Sequence, residues 1–204
     1  MRRKDLADRV SDWEYPVASD RSGTAADKEN YVSLVKEMQE AFAAYDFDLT
    51  ITLPCSYWYM QHFDIVSMEK YVSWFNVMSY DMNGAWNAES AYIGPYMYGL
   101  TNLTEIEEGF DLLWRNNIDP ANVVMGMAFY GRTYTMETDD CYEVGCEFAT
   151  TGSAGQCSTT AGILMYPGQA ATPLLMATEI RLTPLGQSSW ASTRPGKPAS
   201  PPPH

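Results

Sequence analysis

The apolar residues along the chain alternate between short continuous runs and a spacing of three or four residues. The continuous runs predict buried strands, and the three-to-four spacing predicts amphipathic helices. The predicted strands are 9–13, 49–53, 74–80 and 123–129, the last being the clearest buried one. The predicted helices are one that follows a capping-box-like Thr24 to Asp27 and reaches Tyr45, a short one at 67–72, and one at about 104–117.

This β-α-β-α-β-α-β order predicts an α/β fold with a parallel sheet covered by helices. Each intervening helix then provides the right-handed crossover that two parallel neighbouring strands require. A doubly wound sheet and a (β/α)8 barrel share this local pattern, and the periodicity leaves both open.

The composition is that of an acidic globular chain. Of its 204 residues 46% are hydrophobic, which excludes disorder over most of the length, and the net charge is −13. Nucleic acids and anionic membranes are therefore not expected as partners, since their negative charge is repelled. No apolar run approaches the roughly 20 residues of a membrane span. Asp5 and Asp8 interrupt the segment after the basic start, so no signal peptide is expected in this chain.

The four cysteines predict a disulfide rather than a metal site. Cys141, Cys146 and Cys157 lie close together in a Gly/Ser/Thr-rich segment, and Cys55 stands apart. A stapled surface loop formed in an oxidising compartment explains the cluster, with reduced thiols in a flexible loop as the alternative. Three cysteines cannot all pair with one another, so a pairing with Cys55 stays open. No Cys-x-x-Cys spacing occurs, and neither a metal nor another cofactor is expected.

The candidate chemistry begins at the end of the first predicted strand. Asp12 and Glu14 are two residues apart, and side chains at that spacing on a strand project to the same face. Two neighbouring carboxylates repel each other, so the pKa of one is expected to rise. A carboxyl group that keeps its proton near neutral pH can donate it to a leaving group. In parallel α/β folds, active sites lie at this carboxyl edge of the sheet.

The ends of the third and fourth predicted strands add aromatic and charged side chains. Carboxylates suit bond cleavage and aromatic rings pack on the C–H surfaces of sugars, so the combination predicts a carbohydrate groove. An aromatic-rich core would produce part of this pattern without any function. The residues concerned are Met78, Tyr80, Asp81, Trp86, Tyr130 and Arg132.

Three motifs in a fixed order make the resemblance to a known family specific. They read Asp-Trp-Glu-Tyr-Pro at 12–16, Met-Ser-Tyr-Asp at 78–81 and Phe-Tyr-Gly-Arg at 129–132. With these motifs, the chain resembles the family 18 glycoside hydrolases over about 11–164. Ile-Thr-Leu-Pro at 51–54 and Ser-Tyr-Trp-Tyr at 56–59 are most similar to the fungal killer-toxin-α-type chitinases.

The resemblance implies a chitinase that cleaves β-1,4-linked N-acetylglucosamine polymers by a substrate-assisted retaining mechanism, with endo action favoured. It implies that Glu14 protonates the glycosidic oxygen and that Asp12 orients the substrate's acetamido group. Tyr80 and Asp81 would position the same group, which is itself the nucleophile. The other expected sugar contacts are Tyr15, Met78, Trp86, Tyr130 and Arg132, with a structural role equally open for the last two.

The fold implied by the resemblance is a (β/α)8 barrel, of which this chain would hold roughly strands four to seven. We expect a partial barrel domain at 1–135, the start of a small Cys-containing α+β insertion at 136–168, and an irregular Ser/Pro-rich tail at 169–204. Such a barrel typically needs about 250 residues, so the chain is expected to be truncated at both ends. The parent protein is expected to be secreted and monomeric, with chitin or chito-oligosaccharides as its partner.

The chain departs from the family pattern Asp-x-x-Asp-x-Asp-x-Glu at its first two acids, where Ala7 and Val10 stand. The acid at the second position helps to set the charge of Asp12, so Val10 weakens the case for activity. Asp8 shares the strand parity of Asp12 but lies further from it, and Trp190 is a weak candidate for the aromatic of an eighth strand. An inactive chitin-binding protein and a truncated product that does not fold are therefore the alternatives.

Overall fold

The computed structural model describes residues 9–165. The expectations for Ala7, Asp8, the chain start, Trp190 and the tail at 169–204 concern residues outside this range and stay predictions. Within 9–165, no helix combines the length and the apolar character needed to cross a bilayer.

Four parallel strands form the main sheet, in the order β1-β2-β3-β4. They are β1 (Arg9–Ser11), β2 (Leu49–Pro54), β3 (Trp74–Met78) and β4 (Val123–Met125). Each strand pairs with the next one in sequence, so that Val10 lies beside Thr50 and Thr50 beside Trp74. All four coincide with predicted strands, although β1, β3 and β4 stop before their predicted ends.

Four helices connect these strands, namely α1 (Asp27–Ala43), α2 (Tyr57–Met60), α3 (Ile65–Glu69) and α4 (Leu103–Arg115). Three short 3-10 helices accompany them, at Ser19–Arg21, Ala85–Glu89 and Pro120–Asn122. Helix α1 begins where the capping-box pattern predicts, because the Asp27 carboxylate accepts hydrogen bonds from the backbone N–H of Thr24 at 2.7 Å and from its hydroxyl at 2.6 Å. Helix α3 lies slightly earlier than the predicted 67–72, and α2 has no counterpart among the predicted helices.

The helices pack on one face of the sheet. Apolar strand residues turn to this side and form a continuous core with helix residues. A sequential strand order with the helices on one face is the arrangement of a (β/α)8 barrel, whereas a doubly wound sheet reverses its order and carries helices on both faces. The described residues therefore form part of such a barrel. The main core contacts come from Ile51, Leu53, Phe75, Val77, Tyr31, Val35, Ile65, Met68 and Leu113.

The opposite face of the sheet carries polar side chains that satisfy one another. The indole N–H of Trp74 donates to Asn76 Oδ1 at 3.0 Å, and Asn76 Nδ2 donates to Thr50 Oγ1 at 3.1 Å. Thr50 is buried, and a buried polar group without a partner would be costly. This face corresponds to the inner side of the barrel and leads to the carboxyl edge of the strands.

The sequence pattern predicts β4 as the clearest buried strand, and that prediction is wrong. β4 ends at Met125, and the side chains of Val124, Met127 and Phe129 are 48%, 60% and 69% exposed. Within 9–165, β4 is one of the two edge strands of the sheet. An apolar run indicates a segment suited to burial, but a neighbouring element has to supply that burial.

After β4 the chain forms two small antiparallel pairs. β5 (Tyr130–Arg132) pairs with β8 (Ile163–Met165), and β6 (Tyr134–Met136) pairs with β7 (Phe148–Thr151). The predicted domain boundary between residues 135 and 136 falls inside β6, and the division into domains stays a prediction. A second apolar cluster joins β6 and β7 to the loop after β3, and its members are Met97, Tyr134, Met136, Cys146 and Phe148.

Cys141 and Cys146 form a disulfide, which confirms the stapled loop. Cys55 is buried and Cys157 is exposed, and both are free thiols, so the open pairing with Cys55 does not occur. Burial first, and the nearby Glu105 second, raises the pKa of the Cys55 thiol to about 11.

Helix α4 approaches the end of β2 so closely that only glycine fits at position 109. A Cβ added to Gly109 would lie 2.3 Å from the carbonyl oxygen of Cys55 and 2.4 Å from its Sγ. We therefore expect Gly109→Ala to lower the free energy of unfolding by about 1–3 kcal/mol through overpacking. The direction is informative, because alanine in an open helix position is favoured over glycine by about 1 kcal/mol.

Urea denaturation of the two proteins measures this difference. Ser33→Ala on the exposed side of α1 is the matched control and should change the free energy of unfolding by less than about 0.5 kcal/mol. Equal or higher stability of Gly109→Ala would contradict the close approach of α4 to β2.

Candidate active site

The candidate site lies at the carboxyl edge of the sheet, in the loops after β1 and β3. The Ser11 and Tyr31 hydroxyls share a hydrogen bond of 2.9 Å, and the Trp13 ring meets the Tyr31 ring edge-on at 5.1 Å. These contacts turn Ser11 and Trp13 toward α1, so the alternating Asp12 and Glu14 face the other side, where both are exposed. The pair follows β1 rather than lying on it, because β1 ends at Ser11.

The pKa of the Asp12 carboxyl is raised above its ordinary value of 3.8, first by partial burial and second by the negative charge of Glu14. The raised pKa expected within this pair therefore occurs at Asp12. Val10 stands two residues earlier, where the family pattern has an acid, and its side chain is 61% exposed. An apolar side chain at this position can supply neither a charge nor a hydrogen bond to Asp12.

Tyr80 brings the two ends of the site together. It follows β3, and burial raises the pKa of its phenol, with further contributions from the negative charges of Asp12, Asp81 and Glu14. The carboxylates that follow β1 and the one that follows β3 thus act on the same phenol. The Tyr130 ring adds an edge-on contact to the Tyr80 ring, with centroids 6.3 Å apart.

The chain segment after β4 passes beside the Tyr80 ring and is hydrogen-bonded to the residues that precede Tyr80. Gly126 N–H donates to the carbonyl oxygen of Val77 at 2.8 Å, and the Ser79 hydroxyl donates to the carbonyl oxygen of Gly126 at 2.7 Å. A Cβ on Gly126 would lie 3.0 Å from Cε1 of Tyr80 and 2.8 Å from the Val77 oxygen. Glycine at 126 thus allows the backbone to pass beside the Tyr80 ring, a role that the sequence pattern does not reveal.

The Asp81 carboxylate forms an ion pair with a side chain of β5. Arg132 donates from Nε to Asp81 Oδ1 at 2.9 Å and from an Nη to Oδ2 at 2.6 Å, a bidentate ion pair. The pKa of the Tyr130 phenol is raised first by burial and then by its interaction with Asp81. Asp81 itself has a positive φ of 56°, which is uncommon for a residue with a side chain. These bonds connect the loop after β3 to the first of the small antiparallel pairs.

Aromatic faces cover the Arg132 guanidinium. Its central carbon lies 4.8 Å from the ring centre of Trp86 and 5.6 Å from that of Tyr130, which are cation–π distances. The Trp86 ring is still 49% exposed and so retains surface for a ligand. Met78 ends β3 and is half-buried, on the same strand parity as Tyr80.

Tyr15 has a different environment from that of an open sugar contact. Its ring stacks on Tyr59, with centroids 4.0 Å apart and the planes 22° from parallel. The pKa of its phenol is raised first by burial and then by the charge of the Glu14 carboxylate. Tyr59 is not among the site residues predicted from the sequence, and the run of aromatics at 57–59 directly after β2 is the signal that could have indicated it.

A cavity of about 400 Å³ lies away from these groups, among the helices and the loop between α2 and α3. Lys28, Tyr57, Ile65 and Leu112 are among its lining residues, and none of the predicted site residues belongs to it. The candidate site is the exposed carboxyl edge and not this cavity. Within 9–165, no three His, Cys, Asp or Glu residues are grouped so that they could hold a metal ion.

Comparison with known proteins agrees with this geometry. The family described as Glycosyl hydrolases family 18 matches residues 10–193. The chain belongs to glycosyl hydrolase family 18. "Probable chitinase LysM11" of Penicillium expansum is 32% identical over 168 residues, and "Killer toxin subunits alpha/beta" of Kluyveromyces lactis is 33% identical over 158 residues. A crystal structure of the Ostrinia furnacalis Group IV chitinase in complex with allosamidin superposes with a TM-score of 0.69 at 26% identity.

The family 18 chain described here spans only part of these relatives. The two fungal matches cover 75% of this chain but 15% and 14% of the relatives' lengths. The structural match covers 81% of this chain and 46% of the chitinase. The family match continues to residue 193, beyond the resemblance expected to end near 164, and includes part of the predicted tail.

The bidentate pair of Arg132 and Asp81 generates a stability prediction. Lysine keeps the charge but cannot match both carboxylate oxygens with a planar fork. Because the pair is largely shielded from water, Arg132→Lys should lower the free energy of unfolding by about 1–2 kcal/mol. Arg115→Lys is the matched control, since its exposed pair with Asp111 at 3.7 Å should be worth less than about 0.5 kcal/mol. Equal losses of unfolding free energy in Arg132→Lys and Arg115→Lys, measured by urea denaturation, would contradict a larger contribution of the Arg132 pair.

The raised pKa of Asp12 generates a pH prediction. The folded chain holds the Asp12 proton more tightly than the unfolded chain, so stability falls as pH rises from 3.8 through the raised pKa. Asp12→Asn should therefore be more stable than the wild type at about pH 7, by less than about 1 kcal/mol because the group is largely solvated. The gain should vanish at about pH 2.5, where both states carry the proton.

Urea denaturation at the two pH values measures this effect. Ser33→Ala, an exposed change that adds or removes no titrating group, is the control and should differ from the wild type by the same amount at both pH values. A stability gain for Asp12→Asn that is the same at both pH values would exclude a proton-linked origin.

Proposed function

We propose that this chain carries the catalytic edge of a chitinase that cleaves β-1,4-linked N-acetylglucosamine polymers, with endo action and retention of configuration. The observation that supports it is the effect of Asp12, Asp81 and Glu14 on the single phenol of Tyr80. Carboxylates of different strands that meet at one edge suit the cleavage of a bond held between them. The names of the relatives supply the substrate class.

In the proposed reaction the substrate provides its own nucleophile. The carbonyl oxygen of the N-acetyl group attacks the anomeric carbon while Glu14 donates its proton to the departing glycosidic oxygen. The products of this step are the released sugar and an oxazolinium ion. Water then attacks the anomeric carbon and gives a proton back to Glu14, which restores the acetamido group and retains the configuration.

The remaining groups position the acetamido group in this proposal. Asp12, which keeps a proton more readily than an ordinary aspartate, is adjacent to Glu14 and orients the acetamido N–H. Tyr80 has a raised phenol pKa, so it remains an O–H donor to the acetamido oxygen throughout the neutral range. Asp81 acts through Arg132, since its carboxylate is bonded to that guanidinium at both oxygens.

Sugar contacts are proposed for the partly exposed surfaces around these groups. The exposed part of the Trp86 ring offers a stacking face, and Met78 offers apolar surface at the end of β3. Tyr15 contributes the edge and the face that Tyr59 does not cover. All of these groups come from one chain, which is why we propose that the protein acts as a monomer. The disulfide supports secretion of the parent protein.

Val10 favours a second candidate, an inactive protein that binds chitin. Without an acid at this position, Asp12 loses a neighbour that the family pattern uses to set its charge. Such a protein would keep the aromatic surface and bind oligosaccharides without cleaving them. A truncated product that does not fold would do neither.

Hydrolysis of a chromogenic chito-oligosaccharide separates these candidates. Glu14→Gln removes the proton donor at nearly constant shape and should lower kcat by about 10²–10⁴-fold. Glu37→Gln, an exposed change on α1, should leave the rate unchanged. Equal hydrolysis rates of the wild type and Glu14→Gln would contradict the proposal that the chain is an enzyme. Retention on chitin beads that free oligosaccharide displaces would then support the binding protein.

A further inference from the structure

Tyr59 contacts the residue that follows the proposed proton donor in the chain. It lies on α2, directly after β2, and its ring stacks face to face on Tyr15 at 4.0 Å. Tyr15 follows Glu14 in the chain, and the charge of the Glu14 carboxylate contributes to the raised pKa of the Tyr15 phenol. Tyr59 and Glu14 are thus connected by one side chain.

The other end of Tyr59 is fixed by the short 3-10 helix after β1. The Tyr59 hydroxyl donates to Asp20 Oδ2 at 2.9 Å. The Nε of Arg21 lies 3.4 Å from the same Asp20 oxygen. A ring that is fixed at its hydroxyl and stacked on its face has little freedom to rotate, and it restricts the ring stacked on it.

Glu14 needs such a restriction. Its side chain is exposed and comes from a loop, so packing against the protein core does not select its rotamer. A catalytic acid must be held within hydrogen-bond reach of the leaving oxygen, and a misplacement of about 1 Å can cost about 10²-fold in rate. Side chains that lock the rotamer of the reacting group provide that precision.

We propose that Tyr59 is a positioning residue for Glu14, acting through the ring and phenol of Tyr15. The inference rests on the proposed function, because it assigns Tyr59 a role in the same proton transfer. Tyr59 does not contact the substrate in this arrangement. Its loss therefore affects the chemical step and leaves oligosaccharide binding largely unchanged.

Kinetics of the full 204-residue chain on a chromogenic chito-oligosaccharide test the proposal. Tyr59→Leu removes the stacked ring and the hydroxyl, and should lower kcat about tenfold while KM stays within about twofold. Tyr59→Phe keeps the ring and loses the bond to Asp20, and should restore kcat to about two- to threefold below wild type. Rescue by the ring distinguishes positioning from a general loss of structure.

Tyr45→Leu is the matched control. Tyr45 also stacks on an aromatic ring, Phe47 at 5.7 Å and 25°, but it is 70% exposed and belongs to the loop after α1. It should leave kcat and KM at wild-type values. Thermal unfolding midpoints of all variants are measured in parallel.

Each outcome decides the proposal. Unchanged kcat in Tyr59→Leu overturns it, and a raised KM at constant kcat overturns it in favour of a direct sugar contact. If Tyr59→Leu unfolds, Tyr59→Phe and Asp20→Asn carry the test, with a loss of about two- to threefold in kcat supporting positioning and wild-type values overturning it. An inactive wild-type chain removes the proposed function and this inference together, whereas an active chain with an unaffected Tyr59→Leu removes the inference alone.

Discussion

The parallel pairing of β1, β2 and β3 is the constraint on which the candidate site depends. Parallel neighbours bring all their carboxyl ends to the same edge, so the loops after β1 and β3 meet although more than sixty residues separate them in sequence. The register is fixed by apolar residues such as Ile51 and Phe75, which must all face the helices. If the pairing of β1 shifted by one residue, Ser11 and Trp13 would face the inside of the barrel and lose their contacts with Tyr31. Asp12 and Glu14 would then face the helices.

Contacts among aromatic and charged side chains then define the geometry at this edge. The Tyr59 ring stacks on Tyr15, and the Tyr130 ring packs edge-on against Tyr80. The Trp86 ring lies against the guanidinium of Arg132. Such contacts are individually modest, but each restricts a side chain that the backbone alone leaves free to rotate. The Arg132–Asp81 pair adds a bond between the barrel strands and the small antiparallel pairs. The site therefore depends on parts of the chain that are remote in sequence and that pack only in the folded protein.

Much of the fold and part of the site could be predicted from the sequence. The α/β order and the four strands followed from apolar periodicity, and the start of α1 followed from the carboxylate of Asp27. The ends of β1 and β3 were placed too late, because the loop residues that follow continue the strand-like composition. The burial of β4 was overestimated at Val124 and Phe129, since composition reports suitability for burial and not the presence of a neighbour. Tyr59 and Gly126 were missed because their roles consist of contacts with residues of other strands.

The sequence by itself determined the family, the parallel α/β architecture and the residue types at the candidate site, because motifs and periodicity are local properties of the chain. The tertiary structure decided which of these residues meet. It brought Asp12, Glu14 and Asp81 close to Tyr80, gave the raised carboxyl pKa to Asp12, and committed Asp81 to Arg132. Charge effects and hydrogen bonds depend on distances between side chains through space, and those distances follow from strand pairing and packing rather than from position along the sequence.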